Sequence, residues 1–111
     1  MEVFKLRFFF DAGSGICMWS ANDNSKEKFG DYPIECNQLP ISENLWRKLS
    51  YLTAWYDTCI DWSYPPNPTP WSTSECHRFN KEVLSVLNDV TRELGKEYII
   101  QNEFKSVIVN S

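Results

Sequence analysis

The chain has 111 residues, which is the size of one ordinary domain. Its 11 Lys and Arg and 15 Asp and Glu give a formal net charge of −4. Because binding to phosphate groups needs a positive surface, this balance argues against nucleic acid and anionic membranes as main partners and fits a basic protein better.

The N-terminal part of the sequence predicts a β-hairpin. Apolar and polar residues alternate over residues 3–10, which indicates a half-buried strand with Leu6 and three phenylalanines on one face. The glycines of residues 11–15 predict a turn, and residues 16–20 predict the second strand.

A short helix is expected after the hairpin. Residues 22–25 are all types that cap helices, and Gly30 is suited to end the helix that we predict over residues 26–29. Two prolines and the lack of a clear period leave residues 31–40 irregular, with a brief strand around Ile34.

The middle of the chain predicts two long helices. Ser42 caps the first, which runs to about Ile60 and carries an apolar stripe of leucines at three- and four-residue steps. Residues 63–71 contain four prolines and predict a stiff, extended connector. The S-x-x-E sequence of residues 72–75 is a capping box that opens the second helix, and Gly95 ends it.

Two final strands are expected over residues 98–101 and 104–109, joined at residues 102–103 by a hairpin turn or a bulge. Strands at both ends and helices between them predict an α+β fold. We expect a mostly antiparallel sheet from the N- and C-terminal strands, with the two long helices packed on one face. The sequence has no internal repeat or composition break, so residues 1–111 are expected to form a single domain.

No catalytic or metal-binding motif is found. Residues 13–15 lack the G-x-S-x-G of a nucleophile elbow and the lysine of a phosphate loop. His77 directly follows Cys76, and adjacent residues on a helix point about 100° apart, which disfavours a thiolate–imidazolium pair. The cysteines are scattered, and His77 is the single histidine. We expect a non-enzymatic cytoplasmic protein with reduced thiols, without catalytic residues, cofactor or metal.

The segment from Leu49 to His77 has an unusual composition. It contains no Lys or Arg, but three acidic residues and six Tyr and Trp. On the predicted helix, Asp57 and Asp61 are like charges four residues apart, which costs about 0.2–0.5 kcal/mol. They also lie near the negative C-terminal end of the helix dipole, which costs a further few tenths of a kcal/mol. No nearby basic residue offsets these unfavourable charges. Residues that lower local stability in this way, without evident compensation, are candidates for a function.

This segment predicts a surface that binds a basic partner, because rigid loops and exposed aromatic side chains favour tight association. The expected partner-binding residues are Asp57, Asp61, Trp62, Tyr64 and Glu75, with Asp11 as an outlier. The alternative is that Trp55, Tyr56 and Trp71 belong to the core and that a cation distant in sequence pairs with the aspartates.

Residues 8–20, with residues 55–57 and 61–66 downstream, resemble a group of small bacterial proteins of unassigned chemistry. In its size, acidity and lack of catalytic residues the chain is also similar to immunity proteins of contact-dependent inhibition and polymorphic toxin systems. That second resemblance implies a protein that neutralises a toxin domain, commonly a basic nuclease, in the cytoplasm. It assigns no functional residue.

Two main hypotheses follow, and a third is an enzyme of unknown type that would need His77 or a cysteine in a cleft with an oriented partner. The first is a non-enzymatic immunity protein that blocks a cognate, basic, nuclease-type toxin domain, with opposite charges speeding capture. The second is a small-ligand or peptide-binding module in which the aromatic, proline-rich loop of residues 62–71 forms an apolar pocket near Trp62 and Trp71. A flat or convex acidic face favours the first hypothesis, and a closed pocket favours the second.

Overall fold

The sheet has four strands in the computed structural model, which describes residues 2–109. The strands are β1 (Phe4–Phe8), β2 (Met18–Ser20), β3 (Pro33–Ile34) and β4 (Tyr98–Asn102). They lie in the order β3-β2-β1-β4, with β1 antiparallel to β2, β2 antiparallel to β3, and β4 parallel to β1. Two of the three pairings are antiparallel, which confirms the mostly antiparallel sheet; the parallel pair requires a crossover, which the intervening helices supply.

The predicted hairpin and the brief strand at Ile34 are confirmed. In the hairpin, Leu6 lies opposite Ser20 and Phe8 opposite Met18. Both strands are shorter than the alternating pattern indicated. Their connection turns at Gly13, whose φ of +83° glycine adopts without strain.

Three helices follow the predicted order: α1 (Asp23–Phe29), α2 (Glu43–Asp57) and α3 (Thr73–Leu94). The side chains of Asn22, Ser42 and Ser72 cap their N-termini, as their residue types predict. α2 ends at Asp57 and not near Ile60, so the predicted helix is too long. The N–H of Thr58 and the N–H of Cys59 each bond a carbonyl three residues back, which tightens the last turn and takes the chain out of the helix.

The two long helices form an antiparallel pair that is fastened at both ends. At the end of α2, the indole Nε1 of Trp55 donates to Glu75 Oε2 at 2.9 Å. At its start, the N–H of Ser42 donates to Glu93 Oε1 at 2.8 Å. Glu75 therefore makes half of the predicted capping box: its N–H donates to the Ser72 hydroxyl, but its carboxylate is turned toward Trp55.

The core lies between the sheet and this helix pair, which confirms the α+β fold with two long helices packed on one face. Phe79, on α3, is fully buried at its centre. Five other aromatic rings have centroids within 6.1 Å of the Phe79 ring; they belong to Phe10, Trp55, Tyr56, Trp71 and Phe104. The four cysteines are buried free thiols. Among residues 2–109, no helix is both long and apolar enough to cross a membrane.

The strand predicted over residues 104–109 is wrong, because these residues have no strand partner. Instead the side chain of Asn80 binds the backbone of Val107 twice: Asn80 Nδ2 donates to the carbonyl of Val107, and the N–H of Val107 donates to Asn80 Oδ1, both at 2.9 Å. One side-chain amide thus takes the place of a neighbouring strand, while Phe104 packs into the core.

Asn80→Ala removes both hydrogen bonds to Val107 and leaves a half-buried N–H without its partner. We expect a loss of about 1–3 kcal/mol in the free energy of unfolding, measured by urea denaturation. The matched control is Asn88→Ala on the exposed side of the same helix, which should cost less than about 0.5 kcal/mol. Equal losses in the two variants would contradict a stabilising role for the two hydrogen bonds between Asn80 and Val107.

Candidate functional site

The hairpin turn meets the C-terminal end of α2. The N–H of Gly13 donates to Asp57 Oδ1 at 3.0 Å. The indole Nε1 of Trp62 donates to the carbonyl of Asp57 at 2.8 Å, and a Cβ added to Gly13 would lie 3.5 Å from Trp62 Cη2. The Trp62 ring therefore lies against the turn, and the turn brings Asp11, the outlier of the sequence prediction, to the same end of the molecule.

Asp57 is the last residue of α2, where its negative charge meets the negative end of the helix dipole. The N–H of Gly13 offsets part of this cost, because it points its positive end at the carboxylate. Because α2 ends here, Asp61 lies beyond the helix and the predicted like-charge pair along one helix face is wrong. Asp57 has a structural role, which is to hold the turn on the helix.

Asp61 organises the loop that follows. Its Oδ1 accepts from the N–H of Ser63 and its Oδ2 accepts from Asn67 Nδ2, both at 3.0 Å. The hydrogen bonds from Asn67 and Ser63 lower the pKa of Asp61, so the side chain is ionised near neutrality.

Residues 61–67 form two successive turns, in which the N–H of Tyr64 bonds the carbonyl of Asp61 and the N–H of Asn67 bonds the carbonyl of Tyr64. The extended connector predicted for residues 63–71 is therefore wrong in its first part, because Asp61 provides local partners that favour a turn over extended chain.

The name acidic–aromatic end is used below for Asp11, Asp57, Asp61, Trp62 and Tyr64. Trp62 is 57% exposed and Tyr64 is 59% exposed, although both are large aromatic residues. Each belongs to a hydrogen-bonded turn, so the two exposed rings are carried by an ordered loop. Exposed aromatics on ordered backbone are typical of surfaces that bind other proteins.

Within residues 2–109, the carboxylates of the acidic–aromatic end take part in no ion pair. In the part of the chain that the structure describes, the ion pairs are Arg7–Glu103, Arg47–Glu43 and Arg92–Asp89. The alternative that a distant Lys or Arg pairs with Asp57 or Asp61 is therefore wrong for these residues. The two carboxylates bond uncharged amide groups, and their charge stays available to a partner.

Tyr56 lies behind this end. Burial is the main cause that raises the pKa of its hydroxyl; the Cys59 sulfur, where it ionises at high pH, and the carboxylates of Asp11 and Asp57 add to it. That Asp11 and Asp57 both act on one hydroxyl supports their closeness in space.

Glu75 is not brought together with the other predicted residues. Its carboxylate binds Trp55, which is two residues before Asp57 and so about 200° around α2 from it. Glu75 lies on the side of α2 that faces α3, in a shallow cleft lined also by Tyr51 and Arg78.

The aromatic residues of the segment divide between core and surface. Trp71 is 6% exposed and its indole Nε1 donates to Thr58 Oγ1 at 2.8 Å, and Trp55 and Tyr56 are half-buried against Phe79. For these three residues, core packing is confirmed. Trp71 is buried in the core and Trp62 faces solvent, so the placement of these two rings gives no support to the apolar pocket predicted near them.

Residues 2–109 contain no group of three or more His, Cys, Asp and Glu close enough to hold a metal ion. His77 is exposed on α3, and Cys76 beside it is buried. Burial raises the pKa of the Cys76 thiol, with the charge of Glu75 adding to it, so this thiol is protonated at neutral pH.

Two features of the structure were not predicted from the sequence. The N–H of Gly13 as the partner of Asp57 has no local signal, because the two residues are 44 apart. Cations gather along the facing sides of α2 and α3, at Arg47, Lys48, Arg78 and Lys81. The three-residue step from Arg78 to Lys81 could have indicated that they share a helix face.

A family model described as Serratia CdiI immunity protein-like matches residues 6–103. The matched stretch includes the whole acidic–aromatic end and both long helices. A comparison with curated proteins gives no match.

Asp57→Ala should cost about 0.5–1.5 kcal/mol in the free energy of unfolding, because the N–H of Gly13 loses its partner. Asp57→Asn keeps an oxygen acceptor and removes an unfavourable charge at the helix C-terminus, so its stability should equal or slightly exceed that of the wild type. Urea denaturation of both variants measures this. Equal destabilisation by Ala and Asn contradicts the role assigned to the Gly13 bond.

The carboxyl group of Asp61 should titrate below its ordinary pKa of 3.8, as followed by its carbon-13 chemical shift. Asn67→Ala should raise this pKa toward 3.8, whereas Asn37→Ala, at an exposed position elsewhere, should leave it unchanged. Since the folded-state pKa is lowered, the stability that Asp61 contributes is present above pH 3.8 and is lost as the pH falls through the lowered value. An Asp61 that titrates at 3.8 in the wild type contradicts the proposed bonding.

Proposed function

Because the chain belongs to the Serratia CdiI immunity protein-like family, we propose that it binds a cognate toxin domain of a contact-dependent inhibition system in the cytoplasm and neutralises it without catalysing a reaction. The match over residues 6–103 is the observation that carries this proposal, because it spans most of the chain and both long helices. The toxin in this proposal is a basic, nuclease-type domain.

The acidic–aromatic end is the surface proposed to contact the toxin. Asp57 and Asp61 are held by amide N–H groups, so their charges are fixed in direction before the partner arrives. Trp62 and Tyr64 supply exposed aromatic area beside those charges. Opposite charges speed the encounter, and buried aromatic contacts slow dissociation.

Glu75 is proposed as the edge of the same interface. Because it lies around α2 from Asp57, the toxin reaches it by wrapping over the C-terminal end of that helix. Truncation of Glu75 is therefore expected to matter less than changes at Asp57 and Asp61, since contacts at the rim of an interface contribute little.

The proposal is tested with the purified chain and the toxin domain encoded beside it, by titration calorimetry and by growth of cells that express the toxin. We expect a stable complex and protected growth. The double variant Asp57→Asn with Asp61→Asn removes both charges. At position 57 the amide oxygen can still accept from Gly13. At position 61 one oxygen remains for the N–H of Ser63, and the side-chain amide of Asn67 must turn over to accept from the new NH2 group. The affinity of this variant should fall by about tenfold or more at low salt, and the loss should shrink as salt screens the charges.

The matched control is Glu27→Gln with Glu97→Gln, which removes the same charge from exposed positions away from this end and should leave affinity nearly unchanged. No complex and no protected growth would refute the proposed function. A complex whose affinity is insensitive to the Asn variant refutes the proposed surface but leaves the function standing.

A further inference from the structure

A groove of about 650 Å³ runs between α2 and α3, on the side of α2 away from the acidic–aromatic end. Lys48, Tyr51 and Trp55 line it from α2 at helical spacing. Arg78 and Lys81 line it from α3, three residues apart and so on one face of that helix. The groove is therefore formed by the open faces of two packed helices.

The charge of this groove is opposite to that of the whole chain. Four cations line it, Arg47, Lys48, Arg78 and Lys81, against one carboxylate, that of Glu82. These are four of the 11 cations in a chain that has 15 acidic residues. Among the described residues, Arg47 is paired with Glu43 in a solvent-exposed ion pair, whereas Lys48, Arg78 and Lys81 have no carboxylate within ion-pair distance.

The groove also has an apolar floor and an aromatic wall. Leu52 and Val86, from the two helices, are 1% and 2% exposed and form the floor. Tyr51 stands in the wall with 68% of its surface exposed, and its ring centroid is 6.0 Å from that of Trp55. A side chain placed between the helices would cover this apolar area while the cations remain at the rim.

The two helices are held at a fixed separation. Trp55 is bonded to Glu75 at one end and Ser42 to Glu93 at the other, and Phe79 packs between the helices and the sheet. A groove formed by braced helices loses little conformational entropy when it is filled.

We propose that the α2–α3 groove binds an acidic protein segment that carries an apolar anchor residue. The anchor packs on Leu52 and Val86 beside Tyr51, and carboxylates on either side of it pair with Lys48, Arg78 and Lys81. A groove between two packed helices, with an apolar floor, is the kind of surface on which amphipathic segments dock. This site is distinct from the acidic–aromatic end, and through Tyr51 and Arg78 it adjoins Glu75, the proposed edge of the toxin interface.

An acidic peptide fits the groove better than a nucleic acid does. The phosphate backbone needs a long positive track, whereas these cations surround an apolar floor. The net charge of −4 also repels a polyanion at long range, while a short segment with a few carboxylates experiences mainly the nearby cations.

The test uses a fluorescein-labelled, helix-forming peptide of about twelve residues, with leucine and tryptophan on one face and glutamates beside them, and fluorescence anisotropy at low salt. The wild-type chain should bind it, and the same peptide with glutamine for glutamate should bind about tenfold more weakly. Arg78→Glu with Lys81→Glu should weaken binding of the acidic peptide by about tenfold or more. Tyr51→Ala, at an exposed position, should weaken it by a few-fold.

The matched control is Lys26→Glu with Lys96→Glu, which changes the net charge equally at exposed positions outside the groove. If this control weakens binding as much as the groove variant, or if the glutamine peptide binds equally well, the proposal is overturned. Labelled oligouridine is measured in parallel. Tighter binding of oligouridine than of the acidic peptide, lost in the groove variant, would assign the groove to nucleic acid and overturn the proposal.

Discussion

The packing of aromatic rings around Phe79 is the interaction on which the rest of this structure depends. The surrounding rings come from four parts of the chain: Phe10 follows the first strand, Trp55 and Tyr56 lie near the end of α2, Trp71 ends the proline-rich connector, and Phe104 follows the last strand. Burying several aromatic side chains removes a large apolar area from water, which explains how a short chain with free thiols is held together.

These rings fix where the hairpin and the connector enter and leave the core. As a consequence, the turn of the hairpin and the loop after α2 meet at one end of the molecule. There the contacts are between carboxylates and amide N–H groups, as between Asp57 and Gly13 and between Asp61 and Asn67. An amide satisfies the geometry of a carboxylate without cancelling its charge. The same aspartates can therefore stabilise the loop and present negative charge to a partner. A variant that tests partner binding must remove the charge of each aspartate while disturbing its hydrogen bonds as little as possible.

Helix α2 divides the surface into regions of opposite charge. Asp57, at the C-terminal end of α2, faces the hairpin turn. Lys48, Tyr51 and Trp55 face the groove between α2 and α3. The net charge of −4 conceals this division, because the effect of a charge at the surface falls off within about 8–10 Å at physiological salt. What a partner encounters is thus the local arrangement of charges, and two faces of one small protein can select different segments.

The sequence by itself determined the elements whose signals are local: the hairpin, the serine caps of the long helices, the leucine stripe that buries one face of α2, and the acidic, basic-free character of the segment from Leu49 to His77. Tertiary structure alone decided where α2 ends, which residue partners Val107, and which cations face one groove. Asn80 and Val107 are 27 residues apart, and Gly13 and Asp57 are 44 apart, so no periodicity or propensity along the chain could link them. Such pairs form only after the aromatic core has brought their segments together, since the entropy of closing long loops must first be offset by burial.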